Sequence, residues 1–367
     1  MKELAVLLLF TKCTKSIITC RGLAGEAVDW YAVYKPPSTS NSTAFFYYAD
    51  SNSKNWTLSS LPISNGKTAI GATLEEFYKY DQKVFVFAYN DHSPSGGVDS
   101  YRGHSKGVVV FDKQTGFWLI HSVPKFPKLG SYSYPVTGMK FGQMFLCLTL
   151  PLQFLGNVGE HLRYVQATPF SSNLPPFFAE RFPVLVNIAK KQSLTKTDTV
   201  YTKISKLSTV GGMKLSIFAK HKKFNKDLWF DMVAPNLGTN LAVESWMNGG
   251  ADDLESTCTD RISVYDVTSV TLPNVFFNSS KDHSKWAVSD TTGGKNMVCV
   301  GDLNRQKSQF RRGGGAVCFR HRGLWKILHS TVKSVQPCTN INILSCFSDI
   351  FTLALLILLP IILFDIN

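Results

Sequence analysis

Two copies of one tripeptide offer the clearest chemistry in this chain: His104-Ser105-Lys106 and His283-Ser284-Lys285, 179 residues apart. Their flanks match as well. His104 leads into GVVVFD, a turn at 113–116 and a return run ending at His121-Ser122. His283 leads into WAVSD, a turn at 291–295 with two glycines, and a return run ending at Gly301-Asp302-Leu303-Asn304. In an extended strand, His and Lys at i and i+2 point to the same face. A hairpin sets residues symmetric about its turn opposite one another, so each return strand brings its polar cluster back beside its own H-x-K. Two such hairpins meeting across a pseudo-twofold axis would put two imidazoles and two ammonium groups into one pocket.

That set of groups suits a phosphodiester. Paired ammonium groups stabilise the charge that grows on the non-bridging oxygens when phosphorus is attacked, and they need no metal to do it. One imidazole can attack phosphorus and carry it as a phosphohistidine while the other protonates the leaving oxygen. A single H-x-K would read as an ordinary surface pair; the duplicate with matched flanks reverses that reading.

The elements that must hold these residues are mostly strands in the first half. Residues 83–89 (KVFVFAY), 107–111 (GVVVF), 116–121 (GFWLIH) and 143–150 (QMFLCLTL) are short β-branched and aromatic runs bounded by Gly, Pro, Asn and Asp. Residues 73–80 read as helix, and the Pro- and Ser-containing stretch 168–176 reads as a seam. Beyond it come helix-like patterns at 178–191 and 227–248, strands around 260–270 and 286–300, and an amphipathic piece at 324–335. The expected fold class is α/β with mixed α+β layers, in two halves each built on a central mixed sheet flanked by helices. The expected organisation is a signal peptide at 1–19, a first half at 20–170, a second half at 171–338 and a hydrophobic tail at 339–367.

Composition narrows the partners. With 44% hydrophobic and 13% aromatic residues in 367, the chain is neither disordered nor collagen-like nor a small disulfide scaffold. Its formal net charge is +13, and residues 334–367 contribute only Asp349 and Asp365, so the first 333 residues carry +15. Such a surplus repels a basic partner and attracts polyanions: nucleic acid, anionic membrane or acidic polysaccharide.

Both ends read as processing signals. The apolar run at 4–10 behind Lys2, followed by small polar residues, resembles a secretory signal cut near Cys20, despite Lys12 and Lys15. Glycosylation tripeptides at Asn41, Asn55 and Asn278 fit that route. Residues 350–364 carry no charge but fall short of the roughly 20 residues a spanning helix needs. They read either as a glycolipid-anchor signal, giving membrane association, or as a buried C-terminal helix. Of eight cysteines, Cys13 lies in the leader and Cys346 in the tail, leaving six for three disulfides in an oxidising compartment. No pair has the close spacing of a zinc site, so neither metal nor cofactor is expected.

Longer blocks carry a resemblance. Val28-Asp29-Trp30-Tyr31 with Tyr34-Lys35, Arg102-Gly103 before the first HSK, residues 116–122 with Pro124 and Phe126-Pro127, Leu237-Gly238-Thr239-Asn240-Leu241, Asp282 through Trp286, and Cys299 through Arg305 with Arg312 to Gly315 together resemble the deoxyribonuclease II family of the phospholipase D-like superfamily, over about 20–338. The resemblance implies a monomer with internal pseudo-twofold symmetry and metal-independent cleavage of DNA, its sequence-nonspecific substrate, to 3′-phosphate and 5′-hydroxyl ends. It implies a protein of the secretory pathway, lysosomal or secreted.

The same resemblance implies His104 as nucleophile, His283 as general acid, and Lys106 and Lys285 as holders of the phosphate. It marks His121 as functional, orienting or tuning His104, and Asn304 as a phosphate or lysine contact. It pairs Cys20 with Cys147, Cys258 with Cys338 and Cys299 with Cys318. The superfamily's aspartate beyond the lysine is irregular here, with Asp290 at the usual spacing and Asp112 one residue late.

Two rival readings use the same residues: a phospholipase D-type lipid hydrolase, and a catalytically silent secreted polyanion binder. The family blocks outside the pocket argue against the first, and retention of both His and both Lys argues against the second. The basic run 220–226 and Arg311-Arg312 could meet a DNA backbone, although a charge run is more often a solvated face. Trp30 and Trp118 read as core.

Overall fold

A computed structural model describes residues 17–38, 44–247, 252–291 and 294–338. The leader up to residue 16, Asn41 and the C-terminal tail lie outside them, and with them the anchor reading. Among the described residues no helix is long and apolar enough to cross a membrane.

The molecule is a mixed α+β fold dominated by two large sheets, with few helices. In the first sheet the strands run Pro169–Asn173, Phe85–Asn90, Lys106–Phe111, Thr115–His121, Gln143–Pro151, Trp30–Lys35, Tyr47–Asp50 and Thr57–Leu58 from edge to edge. Every pairing in it is antiparallel, where a mixed sheet was expected. The second sheet is mixed: Leu241–Glu244 pairs antiparallel with Trp286–Ser289 but parallel with Ser263–Leu272.

The four apolar runs of the first half form strands because both faces of their sheet are covered, so continuous rather than alternating hydrophobicity is required. Val108, Val110, Phe117 and Leu119 join one cluster with Ala69, Ile70, Leu74 and Phe77 of the helix Ala69–Tyr78. Val109, Phe111, Trp118 and Ile120 point the other way. There they meet Leu215, Ile217, Val300 and Val317 of the second sheet in one continuous core. Trp30 and Trp118 are buried in it, as expected, and truncating either to Ala would cost roughly 3–5 kcal/mol.

Three further expectations change. The stretch 168–176 holds an edge strand, Pro169–Asn173, hydrogen-bonded to Phe85–Asn90. Residues 227–248 do not form one helix: a helical turn at Trp229–Val233 continues only through Ala234–Leu237, and Gly238 stops it in the left-handed region. The chain then enters the strand Leu241–Glu244. The closing amphipathic piece is the helix Arg322–Thr331 followed by the strand Val332–Val335.

All three implied disulfides are present: Cys20–Cys147, Cys258–Cys338 and Cys299–Cys318. The last joins directly opposed residues of neighbouring strands. Asn55 and Asn278 are both exposed, as glycan acceptors must be.

Candidate active site

Each HSK opens the first strand of a hairpin. In the first, Gly107 faces Ile120 and Phe111 faces Gly116, a register that sets Lys106 beside His121. In the second, Trp286 faces Val300, and the Gly301 amide donates to the Lys285 carbonyl at 2.9 Å. The two hairpins lie in different sheets, yet their histidines meet. The rings of His104 and His283 are 6.5 Å apart between centroids and nearly perpendicular.

Backbone bonds across the two sheets fix this meeting. The His104 amide donates to the Gly313 carbonyl at 2.8 Å, and the His283 amide donates to the Gly142 carbonyl at 2.9 Å. Both acceptors must be glycine. A Cβ on Gly142 would strike the Asp282 carboxylate, and one on Gly313 would strike the Val165 carbonyl.

The first lysine is held by an acid that sequence reasoning missed. Lys106 is ion-paired with Asp91, whose Oδ2 also lies 3.9 Å from His104 Nε2 and 3.4 Å from Arg312 Nη2. Burial alone would raise the Asp91 pKa, but Lys106 and Arg312 outweigh it and hold the carboxyl below its usual value. The register gives the signal: Asn90 faces Lys106, so an acid at position 91 falls beside the HSK.

The second lysine has different surroundings. Lys285 Nζ donates to the His283 carbonyl at 2.7 Å, and burial, reinforced by Lys106, lowers its pKa to about 7. Behind it Asp282 accepts from Tyr34 and from the Ser284 amide and hydroxyl, at 3.0 and 2.8 Å. His283 Nδ1 sits 3.0 Å from the Ser122 carbonyl, and its ring packs 4.8 Å from that of Trp246.

Both histidines are held well below the ordinary value. Burial leads in each case. For His104 it is followed by Lys106, Lys285 and Arg312, with the Asp302 backbone opposing; for His283 it is followed by Lys285, Lys106 and His104, with the Ser122 backbone opposing. The site is therefore a cationic pocket that disfavours charge on both imidazoles, and an anion entering it would raise both pKa values. His104 is the less buried of the two histidines, its side chain keeping 11% of its surface exposed.

The remaining predicted residues divide. His121 is buried against Phe126 and Phe145, its Nδ1 accepts from the Val123 amide at 3.2 Å, and burial with Lys106 lowers its pKa to about 3. Its electrostatic neighbour is thus Lys106, whereas the expectation was His104. Asn304 Oδ1 accepts from the Trp246 amide at 3.3 Å and its Nδ2 donates to Gln306, so it braces the tryptophan beside His283. Asp290 pairs with Asn240, and Asp112 caps its own turn through the Gln114 and Thr115 amides.

Two basic candidates turn inward. Lys220 is buried and donates to the carbonyls of Gln309, Phe310 and Arg312. Arg312 ties down the loop before His104 through the carbonyls of Asp99, Arg102 and Gly103; Arg311 and Lys226 are exposed. Among the described residues no cluster of three His, Cys, Asp or Glu could hold a metal.

Comparison with known proteins places this chain in a family. The family model described as deoxyribonuclease II matches residues 19–338. The chain is 46% identical to cell-death-related nuclease 7 of Caenorhabditis elegans over 340 residues, 92% of each chain. It is 36% identical to deoxyribonuclease-2-alpha of Rattus norvegicus over 337 residues, 88% of this chain and 95% of that one. It is 34% identical to plancitoxin-1 of Acanthaster planci over 340 residues, 89% and 94% of the two chains. With the family pattern matched from end to end of the described fold, this chain belongs to the deoxyribonuclease II family.

Proposed function

We propose that the protein is an endonuclease that hydrolyses DNA phosphodiesters at acid pH, without a metal, through a phosphohistidine, leaving 3′-phosphate and 5′-hydroxyl ends. The observation that carries this reading is the meeting of both HSK elements at one cationic centre, in a chain whose relatives are named deoxyribonuclease and nuclease. Lys106 and Lys285 would grip the non-bridging oxygens, one histidine would attack, and the other would protonate the 5′-oxygen. His121 would act on Lys106, and Asn304 would act through Trp246; both are positioning residues.

The reading includes a phospholipase D-like architecture in one chain, two pseudo-symmetric halves serving as a monomer. Its support is the reciprocal amide bonding of the two histidines and a second matched pair of contacts. Ser122 N–H donates to Met144 O while Ser122 Oγ accepts from the Met144 amide at 3.0 Å; Asp302 N–H donates to Gly315 O while Asp302 Oδ2 accepts from the Gly315 amide at 2.9 Å. We further propose a lysosomal or exported protein, for which the three disulfides speak.

The test is digestion of plasmid DNA at pH 5 in EDTA with analysis of the ends, and a phospholipid as control substrate. Nicking in EDTA with 3′-phosphate ends supports the proposal. Strict dependence on Mg²⁺, or turnover of the phospholipid but not DNA, would overturn it.

A further inference from the structure

Three loops on the His104 side of the site are tied together around Arg312. Its guanidinium donates to the carbonyls of Asp99, Arg102 and Gly103, at 2.8, 2.8 and 3.0 Å, and so holds the loop that leads into His104. Its own carbonyl, with those of Gln309 and Phe310, accepts from the buried Lys220 ammonium, which anchors the turn that follows Lys220. In that turn His221 Nδ1 accepts from the Lys223 amide at 3.2 Å, the His221 ring stacks on Tyr201 at 6.1 Å, and Asn225 turns the chain in the left-handed region. The turn meets the loop where Lys222 Nζ lies 3.5 Å from the Tyr101 carbonyl.

The loop is also pinned from within. Asp99 Oδ1 accepts from the amides of Tyr101 and Arg102, both at 3.1 Å, and its Oδ2 accepts from the Thr168 hydroxyl at 3.0 Å. The Arg102 guanidinium donates to the carbonyls of Lys191 and Ala167, at 2.9 and 3.3 Å. On this tethered backbone the Tyr101 side chain stands in solvent, the residue keeping 80% of its surface exposed. Lys222 beside it is half-buried and Lys223 is exposed, so a rigid rim presents an open aromatic ring next to two ammonium groups.

We infer that this rim binds the DNA strand beside the scissile phosphate, with Tyr101 stacking on an unpaired base and Lys222 and Lys223 taking backbone phosphates. The inference rests on the nuclease reading proposed above.

Reach supports the placement. Tyr101 is three residues before His104, and three residues of fully extended chain span at most about 11 Å, so a base on Tyr101 belongs to a nucleotide near the cut. Chemistry supports the occupant. A single strand alternates aromatic bases with phosphates, and the rim offers a ring and cations in reply; an acidic polysaccharide brings the charge without the bases. Every base has a π face, and phosphate contacts carry no sequence information, so such a rim suits a nuclease that ignores sequence.

Fluorescence anisotropy of a labelled single-stranded oligothymidylate tests the rim in a His104→Ala/His283→Ala background, where the strand is not cut. Tyr101→Ala should weaken binding roughly tenfold, as the loss of stacking on one base does, and Tyr101→Phe should bind like its parent. An abasic strand of equal length should bind alike with and without Tyr101→Ala. Unchanged oligothymidylate binding in Tyr101→Ala, or an equal loss on the abasic strand, overturns the stacking. Lys222→Ala with Lys223→Ala should flatten the dependence of log Kd on log salt by about 1.4, two phosphates' worth on a single strand. An unchanged slope overturns the phosphate contacts.

With both histidines present, Tyr101→Ala should raise KM for DNA and leave turnover of bis(p-nitrophenyl) phosphate, a diester with no base, unchanged. An equal fall on both substrates would show that Tyr101 merely shapes the His104 loop and would contradict the inference. Failure of the wild-type protein to cut DNA in EDTA, with the binding differences intact, would overturn the catalytic reading and leave the strand-binding rim standing.

Discussion

His104 and Gly313 are joined through the backbone by a 2.8 Å hydrogen bond that spans the two sheets. His283 is joined to Gly142 in the same way, so each histidine is tied through its amide to the sheet opposite its own. The two histidines face each other only when the two sheets are packed together.

The close approach at these glycines is therefore expected to matter more for rate than for folding. Gly142→Ala must displace Asp282, and with it the segment that carries His283. A shift of about 1 Å at a reacting group costs roughly a hundredfold in rate. Gly142→Ala and Gly313→Ala are expected to lose activity on that scale while still folding, as judged by secretion and circular dichroism. Gly97→Ala, where a Cβ meets nothing within 4 Å, should be unaffected. Full activity in both glycine variants would show that the cross-sheet bonds do not set the geometry.

The pH profile has a predictable asymmetry. The free site holds both histidines well below the ordinary value, so the general acid loses its proton at acid pH and kcat/KM should fall as pH rises toward neutrality. A bound phosphodiester adds a negative charge that raises both pKa values. The falling limb of kcat, which reports the bound state, should therefore lie at higher pH than that of kcat/KM. Steady-state kinetics from pH 4 to 7 in EDTA checks this; coincident limbs would mean that the phosphate does not approach the histidines.

Stability should respond to acid through two opposed sets of buried groups. His121 and His161 have folded pKa values of about 3, below the unfolded value, so each destabilises the fold as pH drops below about 6.5. Asp302 is raised by burial to about 7, so protonation favours the fold between about 7 and 4 and offsets part of that loss, by something like 2 kcal/mol at pH 5. Asp302→Asn keeps the Gly315 contact but removes the titration. Its Tm should fall more between pH 7 and pH 5 than that of the wild type; equal changes would show that Asp302 is ionised in both states.

Much of this was legible in the sequence, for definable reasons. The HSK pair, His121 and Asn304 could be found because hairpin register is local, and the four apolar strands of the first sheet because burial on both faces leaves an unbroken apolar run. Asp91 and Trp246 were not legible. Each is brought to its histidine by pairing with a strand that lies elsewhere in the chain, and neither belongs to a motif. The helix expected at 227–248 failed because Gly238, in the left-handed region, ends it at Leu237, and because the position between two strands was open to Leu241–Glu244. The basic run at 220–226 misled because charge in sequence does not say which lysine, here Lys220, is turned inward to satisfy carbonyls.

The central claim is that the two HSK elements form one catalytic unit, and a double-mutant comparison tests it most directly. Nicking of plasmid DNA at pH 5 in EDTA would be measured for the wild type, His104→Ala, His283→Ala and the double variant. Groups that act as a unit are not additive. Each single variant should lose several orders of magnitude, and the double variant should be little worse than either. Near-normal nicking by one single variant, or losses that multiply in the double, would contradict the shared site.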